Sequence, residues 1–330
     1  MTTLWDTTGT AVVKALAAER RAAGSVSSGL ALTLVAVVEE KLVAEAEQAA
    51  TAAAAQHPCR LLLVVRRRPD APEPRLDAEV SIGGRLGPGE AVVMRMYGRL
   101  ALHAESVVLP LLAPDAPVVT WWFGEPPHLI AHDPLGVIAD RRITDARAAV
   151  DPLAALALRA DDYAPGDTDL AWTRATLWRS LCASAFDSLS GDVHQVAVSG
   201  EAANPSRALL AGWLGARLGV PVAQHDSAGP GVTGVELVVG EDTVRIDRQD
   251  GRTATLSRSG QPDRAMPLPR RDLGDLLAEE LRRLDSDESY AEALGAATDR
   301  GGLTERPSAR THIWQDPSAD ADLDPALTTS

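Results

Sequence analysis

Three places in the chain carry residue types and spacings that could bind or react. The first is Ser199-Gly-Glu-Ala-Ala-Asn-Pro-Ser206. An apolar run from Val193 to Val198 ends at Ser199-Gly200, and Asn204-Pro205 then supplies a capping residue and a first-turn proline for a helix. A strand that runs into a helix start presents backbone N–H donors and a positive dipole end, suited to phosphate or carboxylate. Ser199, Gly200, Asn204, Ser206 and Arg207 therefore form a candidate anion site, with sugar phosphate as the ligand class. Against it stands the absence of a Gly-x-Gly-x-x-Gly or Gly-Lys-Ser/Thr signature, since a capped helix alone is common in α/β proteins.

The second place is His128 and His132 with Asp133. The spacing suits a metal pair on a helix, but Pro127 and Pro134 bracket it and leave no room for one, so no metal is expected. His57 and Cys59 are too close for a zinc site and lack a second pair. The third is Arg141, Arg142 and Asp145, two cations and a carboxylate within five residues, which alone would be an ordinary solvated cluster. No Gly-x-Ser-x-Gly, no His-Glu-x-x-His and no carboxylate–histidine cluster occurs, so no catalytic residue and no cofactor is expected.

The elements that must position these residues read as α/β. Leu30 to Val38 and Cys59 to Val65 are continuous apolar runs flanking an alanine-rich helix, the strand–helix–strand unit of a parallel sheet. Leu76 to Ile82 and Ala91 to Tyr97 follow as strands joined by a glycine-rich turn, and Val118 to Phe123 is another strand. In that strand Trp121 and Trp122 point to opposite faces, so one ring enters the core while the other needs a covering element or a partner. Trp172 and Trp178 lie about 120° apart on one helix, so Trp172 points elsewhere if Trp178 is core. Past the polar spacer 161–168 comes the strand–helix unit around Ser199. Three strand-like runs, Val235 to Val239, Thr243 to Arg248 and Thr253 to Arg258, then form a meander with a hairpin signal at Asp250-Gly251. A helix over Asp272 to Leu284 returns over this meander.

The expected fold is therefore two α/β domains. Residues 1–165 form a wound, mixed or parallel sheet with covering helices, and residues 166–297 form an α/β domain with an antiparallel meander. An acidic flexible tail covers 298–330. The net charge of −14 in 330 residues disfavours nucleic acid and anionic membrane as partners. The apolar runs are too short to span a bilayer, and the start Met-Thr-Thr-Leu-Trp-Asp lacks a secretory signal, so a cytoplasmic location is expected. Cys59 and Cys182, the two cysteines, sit in apolar elements as small hydrophobes.

Five groups of segments fall in order along the chain: His57-Pro-Cys-Arg60; Asp115-Ala-Pro-Val-Val-Thr-Trp-Trp122; Asp133-Pro-Leu-Gly136 with Arg141-Arg-Ile-Thr-Asp145; Asp169-Leu-Ala-Trp-Thr-Arg174 with Leu177-Trp-Arg179; and Leu209-Leu-Ala-Gly-Trp213. Together they resemble the family of actinobacterial glucose-6-phosphate dehydrogenase assembly proteins, OpcA, from Thr7 to about Leu284. The resemblance implies a non-catalytic partner in the oxidative pentose phosphate pathway that associates with glucose-6-phosphate dehydrogenase and promotes its assembly or activity. It brings no catalytic residues. Redox control through cysteines, a feature of some relatives, is not expected from the apolar settings of Cys59 and Cys182. Tryptophan and arginine dominate interface energetics, so Trp121, Trp122, Arg141, Arg142, Asp145, Trp172 and Arg174 are the expected partner-binding residues. A sugar-phosphate sensor or enzyme built on the Ser199 to Ser206 turn is the alternative, and a sugar phosphate could also serve as an effector.

Overall fold

The computed structural model describes residues 1–24, 30–83, 89–187, 189–248 and 250–308. Two sheets organise the chain. The first has eight strands in the order β1 (Thr2–Leu4), β4 (Arg75–Ile82), β5 (Glu90–Tyr97), β3 (Cys59–Arg66), β2 (Leu32–Val38), β6 (Val118–Phe123), β7 (Arg141–Thr144) and β8 (Asp167–Asp169). From β5 to β8 every pairing is parallel, while β4 and β1 add an antiparallel edge. The continuous apolar runs of β2 and β3 follow from this placement, because both strands are covered on both faces. The chain winds from β2 to β3 on one side and later sets β6 against the other edge of β2. This is a change of winding direction between β2 and β6.

The helices of this half are α1 (Gly9–Ala22), α2 (Val43–Ala54), the short α3 (Arg99–Leu102), α4 (Glu105–Val108) and α5 (Pro134–Val137), then α6 (Pro152–Asp162) and α7 (Leu170–Arg174). Trp121 and Trp122 are 0% and 1% exposed. Trp121 packs with Ala36 and with α2 on one face, beside Phe123. On the other face Trp122 meets α5: a Cβ on Gly136 would come within 3.3 Å of its ring and 1.8 Å of the Ile130 carbonyl oxygen, so glycine lets the covering segment close down.

The second sheet runs β10 (Val222–Asp226), β9 (Val193–Gly200), β11 (Val232–Val239), β12 (Asp242–Asp247), β13 (Thr253–Arg258) and β14 (Gln261–Pro267). Only β9 and β10 are parallel, and α9 (Pro205–Leu218) bridges them. The rest is an antiparallel meander whose alternation leaves one face to solvent and one against α8 (Thr176–Phe186) and α9. Two more helices follow, α10 (Leu273–Arg282) and α11 (Glu288–Thr298).

Three expectations need correction here. The helix expected to return over the meander, α10, instead lies on α2 of the first sheet, with Leu276, Leu277, Ala278 and Leu281 in the same core as Trp121. Small residues permit the crossing, since a Cβ on Gly274 would sit 2.6 Å from the Ala52 Cβ. The expected boundary at 165/166 is crossed by β8 and α7, which extend the first half, and by α10, which returns to it. A shared core of Tyr163, Trp172, Leu209 and Tyr290 joins α6, α7, α9 and α11 across the two halves. The expected tail is ordered at its start, where Leu303 is buried and Arg306 donates 3.0 Å hydrogen bonds to the Asp161 and Tyr163 carbonyls. Residues 309–330 of that tail, and the turn around Gly84 to Pro88, lie outside the described residues.

Candidate functional site

The expected partner-binding residues lie on β6 and β7, in the turn after β7 and on α7, and they are turned inside the protein. Arg141 donates to Glu280 of α10 through Nε at 3.0 Å and through Nη2, and to the Asp285 carbonyl at 2.9 Å. Thr173 Oγ1 donates to the other Glu280 oxygen at 2.5 Å. Arg142 is bound to Asp167 and to the carbonyls of Ala139 and Pro165, at 2.8 and 2.7 Å. Arg174 makes a bidentate pair with Asp145, 2.7 and 2.6 Å. Trp172 donates from Nε1 to Asp287 at 2.8 Å, and Arg179 stacks 3.5 Å above its ring.

These contacts make a buried weld of the expected docking surface: Arg142–Asp167 and Arg174–Asp145 brace the first half, while Arg141 on Asp285 and Trp172 on Asp287 and Arg179 join it to the second. Trp121, Trp122, Trp172, Arg141, Arg142 and Asp145 are all buried, and Arg174 is half-buried and paired. A surface role for them is corrected on that ground. Beneath the weld lies Asp169, fully buried, which accepts from Thr144 Oγ1 and from the backbone N–H groups of Ala146 and Ala171 at 2.7 to 2.9 Å. Burial, reinforced by neighbouring Asp145, pushes its carboxyl up to about 6 despite those donors.

The expected anion residues divide. Gly200 is packed so tightly that a Cβ would lie 2.7 Å from the Gly231 carbonyl oxygen, and Ser199 is paired within β9 on both sides. Arg207 is turned to structural use: it donates to the carbonyls of Gly200, Ala202 and His225 and pairs with Asp226 at 2.7 Å, tying the ends of β9 and β10 together. Asn204 caps α9, its Oδ1 accepting from the Arg207 N–H at 3.2 Å. Asn204 and Ser206 alone reach a cavity, of about 70 Å³, at the seam between the halves.

Five arginines line that cavity with them: Arg147 and Arg174 from the first half, Arg248, Arg270 and Arg271 from the second. No carboxylate and no histidine lines it among the described residues. Arg174 is neutralised by Asp145 and Arg271 by Glu279, whereas no ion pair is formed by Arg147, Arg248 or Arg270 among the described residues. Arg248 is 7% exposed, donates to the Leu268 and Val232 carbonyls, at 3.2 and 2.9 Å, and lies 5.1 Å from the centre of the Trp178 ring. Burial and then the nearby Arg270 bring its guanidinium down to about 10. Its Nε and the Oγ of Ser206 are buried without a hydrogen-bond partner among the described residues.

Sequence reasoning found Asn204 and Ser206 but missed Arg147, Arg248, Arg270 and Arg271. The basic pair Arg270-Arg271 and an arginine at the base of the Asp250-Gly251 hairpin were visible signals, yet nothing in their spacing links them to residue 206. Near the histidines, Asp133 is used up by Arg66 at 2.9 and 3.1 Å and by capping α5. Cys59 and Cys182 lie in separate cores, and burial pushes both thiols up to about 12, which disfavours the reactive thiolate.

Comparison with known proteins places two family models end to end on this chain. Residues 50–161 match the N-terminal domain of the glucose-6-phosphate dehydrogenase subunit family, and residues 165–294 match the C-terminal domain of the same family. A protein of Synechocystis sp. named "Putative OxPP cycle protein OpcA" is 27% identical over 126 residues, a match covering 34% of this chain and 26% of that protein. Among solved structures, an oxidoreductase from Sinorhizobium meliloti aligns over 80% of this chain and 86% of its own, with 12% identity and a TM-score of 0.38. An oxidoreductase from Pseudomonas syringae aligns over 85% and 91%, again with 12% identity and a TM-score of 0.38. Likeness at that level carries no argument about chemistry.

Proposed function

The chain belongs to the OpcA family of glucose-6-phosphate dehydrogenase subunits, and from that premise we propose that it is a non-catalytic assembly factor and allosteric activator of glucose-6-phosphate dehydrogenase, acting by protein–protein binding. The observation that carries this reading is the consecutive match of both family domains across a chain whose halves share one core. A welded body suits a partner that selects one conformer of an enzyme, because a rigid surface discriminates between two shapes of its target. A difference of about 1.4 kcal/mol in its affinity for two dehydrogenase states would shift their ratio tenfold.

Since the seam residues are buried, the docking surface is assigned to side chains outside the seam. Trp5, 68% exposed, is its first candidate anchor. Purified dehydrogenase assayed across glucose 6-phosphate concentrations, with and without this chain, tests the reading. Raised activity or an altered substrate dependence supports it; identical curves together with an unchanged oligomer size reject it. The alternative, a sugar-phosphate sensor or enzyme, gains a cavity from the arginine cluster, but the cavity's lining offers no carboxylate or histidine to move a proton. Binding without turnover is the chemistry such a lining supports. No helix of the described residues is long and apolar enough to cross a membrane.

A further inference from the structure

We propose that the arginine-lined cavity at the seam binds the phosphoryl group of a phosphorylated small molecule, and that the bound dianion ties the two halves of the chain together. Five guanidinium groups converge on the cavity and two of them are paired with carboxylates; of the other three, Arg248 is buried and Arg147 and Arg270 reach solvent, and none forms an ion pair among the described residues. Gathering like charges in a partly buried site is costly unless an anion joins them. The start of the 14-residue helix α9 points its dipole at the same space, and Ser206, 5% exposed, holds a hydroxyl there with no partner among the described residues. The unpartnered Nε of Arg248 is a second buried donor. Guanidinium forks from several segments, a hydroxyl and a helix start around one space suit an oxyanion with several acceptor oxygens, as a phosphoryl group has.

Size narrows the ligand. About 70 Å³ is far below the roughly 300–1,000 Å³ of sites that enclose a whole drug-sized molecule, so the enclosed part is a compact head group. Inorganic phosphate and the phosphate of a sugar phosphate share that chemistry. Because Arg147 and Arg174 belong to the first half and Ser206, Arg248 and Arg270 to the second, an anion between them bridges the two. This inference stands on the cavity alone and does not rest on the partner reading.

Calorimetric titration of the full chain with inorganic phosphate and, separately, with glucose 6-phosphate tests it. Saturable one-to-one binding of either, with a rise in Tm, is expected; tighter binding of glucose 6-phosphate would show that the sugar adds contacts, and equal binding that the phosphate suffices. Arg270→Ala and Ser206→Ala, one exposed and one losing only an unpaired hydroxyl, should each weaken binding about tenfold, while Arg264→Ala on the exposed strand β14 should leave it unchanged. Absence of saturable binding of both ligands at millimolar concentration overturns the proposal, as does equal weakening by Arg264→Ala. Loss of this binding with dehydrogenase stimulation intact would remove the anion site and leave the partner reading standing.

Discussion

The weld and the cavity are neighbours built largely from the same residue type, and they differ in where the negative charge comes from. Arg141, Arg142 and Arg174 are met by Glu280, Asp167 and Asp145, so their charge is consumed in holding the fold. Arg147, Arg248 and Arg270 face a common space and form no ion pair among the described residues. An arginine whose charge is met within the chain reports on stability, and one whose charge is unmet reports on binding. Local sequence cannot separate the two classes, because the carboxylate that decides the matter for Arg141 lies 139 residues away.

The largest effect that would sharpen this contrast is on the weld. Glu280→Ala leaves the buried Arg141 guanidinium without its carboxylate and leaves the Thr173 hydroxyl only its 3.4 Å contact with the Asp169 carbonyl. A loss of about 3–5 kcal/mol in urea unfolding is expected; a loss under about 1 kcal/mol would place Arg141 in the solvated class. Next is Gly212→Ala, whose Cβ would lie 2.4 Å from the Ala293 carbonyl oxygen where α9 crosses α11. Overpacking there is expected to cost about 1–3 kcal/mol by the same assay.

Asp169 gives a pH test of the weld. Its carboxyl titrates near 6 in the folded chain, above its ordinary 3.8. Between those values the folded chain holds a proton that the unfolded chain has released, so this group's contribution is fully present below about pH 4 and is lost as pH rises through about 6. Unfolding free energy measured across that window should carry this downward slope, and Asp169→Asn should flatten it. An unchanged slope in the variant would assign it to other groups. The smallest effect belongs to the cavity: Arg147→Ala and Ser206→Ala should each alter stability by less than about 0.5 kcal/mol in the absence of anion. A large loss in either would move that residue from the binding class to the weld.

Much of the framework was legible in the sequence. The apolar runs of β2 and β3, the alternation of the meander and the Asn204-Pro205 helix start all depend on local periods and local caps, which a chain displays directly. What was not legible depends on pairs distant in sequence. The helix at 273–282 carries a strong apolar stripe, but only the small-residue face of α2 decides that it lies over the first sheet. Strand alternation correctly sent Trp121 and Trp122 to opposite faces, yet only the fold shows that α5 covers the second ring. The charged and aromatic residues chosen for a partner surface were chosen for their chemistry, and the same chemistry served a buried seam. Of the anion site, the helix start was readable, while its arginines come from four separate segments.

The central claim is that this chain works by engaging glucose-6-phosphate dehydrogenase as a binding partner. Sedimentation velocity of purified dehydrogenase mixed with the full chain tests it most directly. A single faster boundary carrying both proteins is expected, slowed back towards the separate species by Trp5→Ala. Two independent boundaries at every mixing ratio, with and without added phosphate, would contradict it.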